Sequence, residues 1–535
     1  MNIFGLNIQR NKTTAVKMPK FPVKQQPTIS AYGGNLYGSY AVSFDGEKNA
    51  GEIGPAINYT LNYGVLRVRS WQAYLESEIA RTVFDRFTIW IMDKGLKLQC
   101  EPSKLILESE NVKVDTEKFN SITEARFNLF AKSKRASFNG MQTLNEIAKE
   151  TFKSSKIGGD GLVILRYVNK EVKIEFVDGA HVDSPILSSH AVTGNRIIDG
   201  IEIDKSGKHI AYHIPGGLNK EHQRVEAWSE TTGLRMAFIV YGAKYRSDNL
   251  RGIPAIATSL ETMKKIERYK EAAVGGAEER QKIAYVIEHD ANSDGENPLA
   301  DTLALSLGLD SNDKVGAYDA TGQTLTNTVA ATTNKTVVNM PIGSKLQALD
   351  SKQEIFFKEF YEKNADIICA ALGIPPNVAW SVYNDSFSAS RAATKDWEHT
   401  IDVERNGFQV QFYEPIFNFW LFTEILKKKI VAPGYMEAFD KNNYSILEAY
   451  QNVRYTGPMF PHIDPLKEAK AEREKLGSQF RNTPLTTLER STEVLNGGDS
   501  ISNIEQASQE LKTAEGLGFD TKPEGFQNND LLKSD

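Results

Sequence analysis

The sequence predicts an α+β fold, mainly helical, divided among several domains. Three observations predict it. A chain of 535 residues is too long for one compact core. Long stretches repeat apolar residues at three- and four-residue spacing, which is the helical period. Most of the strand-like runs are short and fall between Leu162 and Tyr241. Hydrophobic content of 40% and charged content of 25% are ordinary for a soluble globular protein. No stretch approaches the roughly 18 apolar residues of a membrane span, so no membrane partner is expected. The opening MNIFGLNIQRNK has no apolar signal core, and a cytosolic setting is expected. Cys100 and Cys369 lie far apart among apolar neighbours and read as buried free thiols. A formal charge of −6 argues against a broad basic grip on nucleic acid. It leaves open a protein that lets nucleic acid slide past.

Residues 1 to about 60 are rich in Lys, Gln, Pro, Gly and Asn without a sustained period, and read as an arm ordered by neighbours. The first clear helix runs from about Ser70 to Lys94, with Trp71, Leu75, Ile79, Val83, Phe87 and Ile91 on one stripe. Ser70 suits its cap and Gly95 its C-terminal stop. A strand, Leu96 to Cys100, follows. Phe119 to Ser154 reads as two helices broken near Asn139-Gly140. Leu162 to Tyr167 and Val172 to Val177 form a hairpin around Asn169-Lys170. Short strands are predicted at Arg196 to Ile203, His209 to His213 and Phe238 to Tyr241.

Gly252-Ile253-Pro254 reads as the start of a long helix, with Pro254 in its first turn. Ile256, Leu260, Met263, Ile266 and Tyr269 mark its apolar face. Small residues from Ala272 to Ala277 suit close helix–helix approach or a bend. Ala284 to Ile287 is a strand. The polar stretch up to about Met340 buries little by itself and reads as a small β-containing projection completed by neighbouring copies. Ser351 to Leu372 is helical again. A helix from Ser388 to about Tyr413 and another from Pro415 to Lys429 follow, then helical runs at Pro465 to Leu476, Leu485 to Asn496 and near Ile501 to Glu515.

The chemistry-bearing patterns are sparse. GGDG at 158–161 precedes a strand and lacks the Gly-Lys-Ser/Thr of a phosphate loop, so it reads as the turn into the hairpin. His209 and His213 would share a strand face but have no third ligand in view, and no metal site is expected. There is no Gly-x-Ser-x-Gly elbow and no paired-carboxylate hydrolase signature. No catalytic residue and no cofactor is therefore assigned. Lys264, Lys265 and Lys270 on one long helix, and Lys352, Lys358 and Lys363 on the other, are candidates to face nucleic acid. A solvated helix face explains them as well, since Glu261 to Glu288 carries six Lys/Arg and six Glu.

The stretch from Ala371 to Trp397 organises the rest. An apolar helix closes at Leu372-Gly373, and Pro375-Pro376 stop it by fixing φ and removing donors. The loop Val382, Tyr383, Asn384, Asp385, Ser386, Phe387 follows, and Ser386 or Ser388 can cap the next helix. This stretch resembles the lambda-like portal proteins of tailed bacteriophages. The features that carry the resemblance are Leu372-Gly373-Ile374-Pro375, Ser390-Arg391-Ala392-Ala393 and Tyr413-Glu414-Pro415-Ile416-Phe417. Gly159-Asp160-Gly161, Arg251-Gly252-Ile253-Pro254, the run Pro461 to Glu468 and Gly498-Asp499 resemble further family motifs in the same order. Residues 289–345 and the first 60 have no counterpart.

The resemblance implies a portal fold. By position it gives an N-terminal arm at 1–60, a wing at 61–250, a stem helix at 251–282 and a clip at 283–350. A second stem helix at 351–372, a tunnel loop at 373–387, long wing helices at 388–429, a crown at 430–515 and a disordered tail at 516–535 complete it. It implies a ring, normally dodecameric, at one capsid vertex, through which double-stranded DNA is packaged and ejected without sequence specificity. Val382 to Phe387 would line the narrowest part of the channel. Implied partners are further copies of the chain, the terminase large subunit, the major capsid protein and a head–tail connector. The implied location is the virion, with the host cytoplasm during assembly. Catalysis would belong to a separate terminase. The competing readings are another phage assembly protein, such as a scaffold or tail adaptor, and a multidomain hydrolase.

Overall fold

The computed structural model describes residues 2–3, 6–7, 63–185, 194–216, 222–287, 292, 328–331, 335–339, 357–382, 387–457, 465–477, 484–496, 498 and 500–517. Strands β1 (Asn2–Ile3) and β2 (Leu6–Asn7) pair with each other. The body begins with α1 (Tyr63–Glu76) and α2 (Glu78–Met92), which replace the single helix expected from Ser70. Extended Ser77 separates them. The two pieces turn different faces inward: α2 buries Ile79, Val83, Phe87 and Ile91, whereas α1 buries Leu66, Arg67 and Ser70 and leaves Leu75 exposed. One straight helix cannot present both.

β3 (Lys97–Cys100) leads to α3 (Lys104–Ser109), α4 (Thr116–Lys132) and α5 (Leu144–Gly158). Asp115 caps α4, and Thr143 with Glu146 forms a capping box on α5. β4 (Asp160–Val168) and β5 (Glu171–Asp178) form the expected hairpin, with Asn169 and Lys170 both at positive φ. β6 (Arg196–Ile198), β7 (Ile201–Ile203), β8 (His209–Ile214) and β9 (Gln223–Glu226) form an antiparallel sheet in that order. β10 (Ala237–Tyr241) adds to β4, giving a sheet of order β10-β4-β5.

That central sheet is covered on both sides. Val163, Leu165, Phe238 and Val240 join the main core with the helices. Their alternating neighbours Leu162, Ile164, Ala237 and Ile239 pack with Ile201, Ile203 and Tyr212 of the four-stranded sheet. The uninterrupted apolar run Leu162 to Leu165 is what burial on two faces requires. The histidine pair does not share a surroundings. A register shift between Glu202 and Ile203 leaves His209 against Tyr212 and His213 beside Glu202.

Gly252 to Pro254 is not helical; a 3₁₀ turn at Ala257–Ser259 leads instead into α6 (Leu260–Lys282). Ile253 precedes Pro254, which disfavours helical backbone there, and the segment is tied to the body through its backbone donors. Gly252 N–H goes to Asp160, Ile253 N–H to the Ala243 carbonyl and Ala255 N–H to the Lys156 carbonyl. β11 (Ile283–Ile287) continues from α6 and pairs in parallel with β13 (Lys335–Asn339), which pairs antiparallel with β12 (Thr328–Ala331). α7 (Phe357–Ala371) returns to the body and ends at Gly373, as its Gly-Ile-Pro-Pro sequence requires. The short α8 (Pro376–Trp380) follows, with Pro376 at its first position.

α9 (Phe387–Phe408) and α10 (Glu414–Leu426) are not two separate helices around Pro415. A π-helical turn, Gln409–Tyr413, joins them without interruption. Pro415 has no N–H for the carbonyl four residues back, and the wider turn absorbs the defect. The side chains of that turn are used: the Gln409 amide oxygen accepts from Tyr455 N–H and the Gln411 amide oxygen from Tyr241 N–H. α11 (Tyr435–Asp440), α12 (Tyr444–Gln451) and β14 (Val453–Thr456) pack into the main core, with β14 antiparallel to β3. α13 (Pro465–Leu476), α14 (Leu488–Asn496) and α15 (Ser500–Gly516) follow as a chain of largely exposed helices. Cys100 and Cys369 are free and buried, and burial pushes the Cys369 thiol up to about 12. Among the described residues no helix is long and apolar enough to cross a membrane.

Candidate functional site

The candidate site is the helix pair α6–α7 with its root and the loop that follows it. Met263 and Ile266, early in α6, share the core with Ala365, Ile368 and Cys369, late in α7. Further along α6, Tyr269 stacks on Phe357, in the first turn of α7, with ring centroids 5.6 Å apart, and meets Phe360 at 4.6 Å. The two helices therefore run antiparallel, joined far from the body by the stretch that holds β11 to β13.

The root of α6 is fixed by an ionic hub that connects α1, the start of β4 and the segment before α6. Asp160 is fully buried and accepts four hydrogen bonds. They come from Arg67 Nη2 at 2.5 Å, Arg251 Nε at 2.7 Å, Arg251 Nη2 at 2.8 Å and Gly252 N at 2.8 Å. The guanidinium groups also donate to backbone carbonyls, one of which, Gly179, accepts the Val182 N–H as well. Arg67 donates to Gly158 and Gly179; Arg251 donates to Gly179, Val182 and Asp199. Burial works against the Asp160 carboxylate. The Arg251 charge, then Arg67 and the Gly252 amide, outweigh it and hold its pKa below the ordinary carboxylate value. Two glycines allow the approach. Gly159 adopts φ +103°, and a Cβ on Gly252 would lie 1.9 Å from the Gly159 carbonyl oxygen.

Gly159-Asp160-Gly161 reads in the sequence as a hairpin-entry turn and Arg251-Gly252-Ile253-Pro254 as the approach to a helix; the structure makes them two halves of one contact. The third member, Arg67, was missed. Its signal was a charge inside the otherwise apolar Val65–Val68 segment, a place where a buried partner is needed.

The candidate lysines lie on the outer faces of the pair. Lys264, Lys265 and Lys270 on α6, and Lys358 and Lys363 on α7, are exposed. Most sit near a carboxylate: Lys265 at 3.1 Å from Glu261, Lys270 at 3.5 Å from Glu78 of α2, Lys358 at 3.8 Å from Glu362 and Lys363 at 3.6 Å from Asp366. The surface is mixed in charge rather than a cationic stripe, and Lys270 reaches back to the body. Lys352 lies outside the described residues. So do Tyr383, Asn384, Asp385 and Ser386, one of the two cap candidates; the other, Ser388, lies inside α9 and is not its cap. The loop's first residue, Val382, is exposed and follows Ser381 in the left-handed conformation at φ 56°. Phe387 opens α9. No group of three metal-ligating side chains occurs among the described residues.

Residues 50–405 match the family described as phage portal protein, lambda family. The chain belongs to that family. It is thus a phage portal protein, and the family is a structural one. No curated protein sequence matches the chain. Among solved structures it is similar to one described as "Neck of native GTA particle computed with C12 symmetry". That match has 11% identity, TM-score 0.37, and covers 82% of this chain and 94% of that one. It is similar to "Neck of empty GTA particle computed with C6 symmetry" at 11% identity and TM-score 0.38, covering 86% and 99%. It is also similar to "Virion of native gene transfer agent (GTA) particle" at 11% identity and TM-score 0.37, covering 84% and 97%. The family match takes in the ionic hub, the α6–α7 pair and the loop after Val382, while the motifs Tyr413 to Phe417, Pro461 to Glu468 and Gly498-Asp499 lie beyond it.

Proposed function

We propose that copies of this portal chain form a ring, dodecameric in the virion, around a channel for double-stranded DNA. The antiparallel α6–α7 pair is the stem and carries the proposal: it leaves the body as a two-helix arm with mixed-charge outer faces, rooted on a buried ionic hub. Residues 283–350 at its far end are the clip, and Val382 to Phe387 the tunnel loop. The layers from α1 to β10, with α9 and α10, are the wing, and α13 to α15 belong to the crown. Lys265, Lys270, Lys358 and Lys363, each beside a carboxylate, suit a wall that guides DNA weakly, because each phosphate neutralised adds affinity and drag. The terminase large subunit and a head–tail connector would dock on the clip side, and the major capsid protein around the ring. The ring itself performs no catalysis.

Electron microscopy of the purified protein, with mass determination on the same particles, tests this. A ring of about twelve subunits with a duplex-wide axial hole is the expected result. A compact monomer across salt and concentration would overturn it. Shortening Val382–Phe387 is expected to impair DNA packaging or retention while leaving rings intact; loss of rings would show that the loop is structural.

A further inference from the structure

The surface around the β4–β5 turn belongs neither to the hub nor to the stem. A cavity of about 250 Å³ opens there, floored by Phe130, Val172 and Trp420. Leu129 at its edge is 73% exposed, and Tyr167, the strand partner of Val172, is also exposed. Lys427, on the cavity wall, places its Nζ 5.7 Å from the centre of the Tyr167 ring.

The charge here is opposite to that of the whole chain, which is −6. Glu171 is shared by Arg135 at 3.5 Å and Lys173 at 3.1 Å. Glu424 is shared by Arg126 and, at 3.2 Å, Lys427. Each carboxylate thus faces two cations. Lys132, Lys134, Lys170 and Lys428 flank these residues, are exposed and form no ion pair among the described residues. The result is a hollow with an apolar floor and mixed-charge walls, inside a rim where cations outnumber carboxylates.

We propose that this face docks an acidic protein segment that inserts one aromatic or large aliphatic side chain into the cavity. The volume is below the roughly 300–1,000 Å³ of small-molecule sites, and fits a single anchoring side chain. Surplus cations around a desolvated apolar centre are the complement of an acidic segment with one apolar anchor. Nucleic acid is the poorer fit: Glu171 and Glu424 interrupt the continuous cationic track that a regular phosphate backbone needs, whereas a peptide can place its apolar anchor between them and its carboxylates on the outer lysines. The proposal does not depend on the ring.

Fluorescence anisotropy with the full-length protein tests it. The probes are a fluorescein-labelled peptide with one Phe flanked by Glu residues, the same peptide with Ser for Phe, and a labelled DNA duplex. Saturable binding of the Phe peptide is expected, with at least about tenfold weaker binding of the Ser peptide. The pair Lys134→Glu and Lys170→Glu, and separately Leu129→Asp, are each expected to weaken it about tenfold. All three positions are exposed, so an unchanged melting temperature accompanies the loss. Equal binding of the two peptides, insensitivity to these substitutions, or tighter binding of the duplex would each overturn the proposal, as would absence of saturation up to about 1 mM.

Discussion

Asp160→Asn removes one charge from the hub and leaves two guanidinium groups buried. The side chains of Asp160, Arg67 and Arg251 are 1%, 6% and 3% exposed, so water cannot replace the lost partner. Breaking a buried pair by removing one member costs about 3–5 kcal/mol. The loss falls on local opening of the β4 start and the α6 root, measured by amide hydrogen exchange of segments containing Gly161 and Gly252. Taking about 4 kcal/mol, exchange accelerates roughly a thousandfold. The exposed pair Lys104–Glu108, with side chains 68% and 62% exposed, is the control, and Glu108→Gln is expected to change little. Buried ion pairs elsewhere often tolerate wholesale apolar replacement. Here the triple change Arg67→Met, Asp160→Leu, Arg251→Met is expected to be as damaging as Asp160→Asn or worse. It would strip the carbonyls of Gly158, Val182 and Asp199 of these donors, at about 1–3 kcal/mol each, while Gly179 keeps the Val182 N–H. Wild-type exchange in the triple variant, or a change under about 1 kcal/mol in Asp160→Asn, would refute the hub as the anchor of α6.

Gly252→Ala is expected to loosen the same region in exchange measurements, because its Cβ meets backbone rather than a movable side chain. His209 gives a pH dependence. Burial, then Lys244 and Arg235, lower its pKa from the model-peptide value of about 6.5 to about 4. A lowered value means the unfolded state binds the proton more readily, so the β6–β9 sheet loses stability as pH falls from about 6.5 to about 4. Exchange in β8 across that range should show the loss, and His209→Gln should reduce its slope. Trp397 is fully buried with its Nε1 donor unpartnered among the described residues. Trp397→Phe is therefore expected to shift the thermal midpoint far less than Trp397→Ala, since it removes an orphan donor while keeping most of the ring.

The elements governed by local pattern were legible in the sequence. The four-residue spacing of Ile79 to Ile91, the turn residues Asn169-Lys170 and the Gly-Ile-Pro-Pro stop after α7 each carry their own explanation. What was not legible depends on partners distant in the chain. Gly252 to Pro254 has a good helix-start composition, yet the segment is tied to Asp160, Ala243 and Lys156 through backbone donors. Pro415 reads as a stop because a π-turn has no simple sequence signature. β3 could be read as a strand, but nothing nearby identifies its partner, β14. At the candidate site the helix pair and its lysines were visible as periodic faces. The hub that roots the pair was not, because Arg67, Asp160 and Arg251 become neighbours only when the sheet and helices assemble.

The uninterrupted run from α9 through the π-turn to α10 has a mechanical consequence. Its segments of 22, 5 and 13 residues make a strut roughly 60 Å in contour. One end is Phe387, the last residue of the proposed tunnel loop; the other passes Trp420, which floors the cationic cavity, and stops at Leu426. Measured from the π-turn, the arm to Leu426 is about 24 Å, so each degree of tilt displaces that end by about 0.4 Å. Gln409 and Gln411 grip β14 and β10 between the ends and supply the fulcrum. A tilt of the strut at Phe387 therefore has to disturb the contacts to β14 and β10, and the core side chains from Trp397 to Phe417, before it reaches the cavity floor at Trp420.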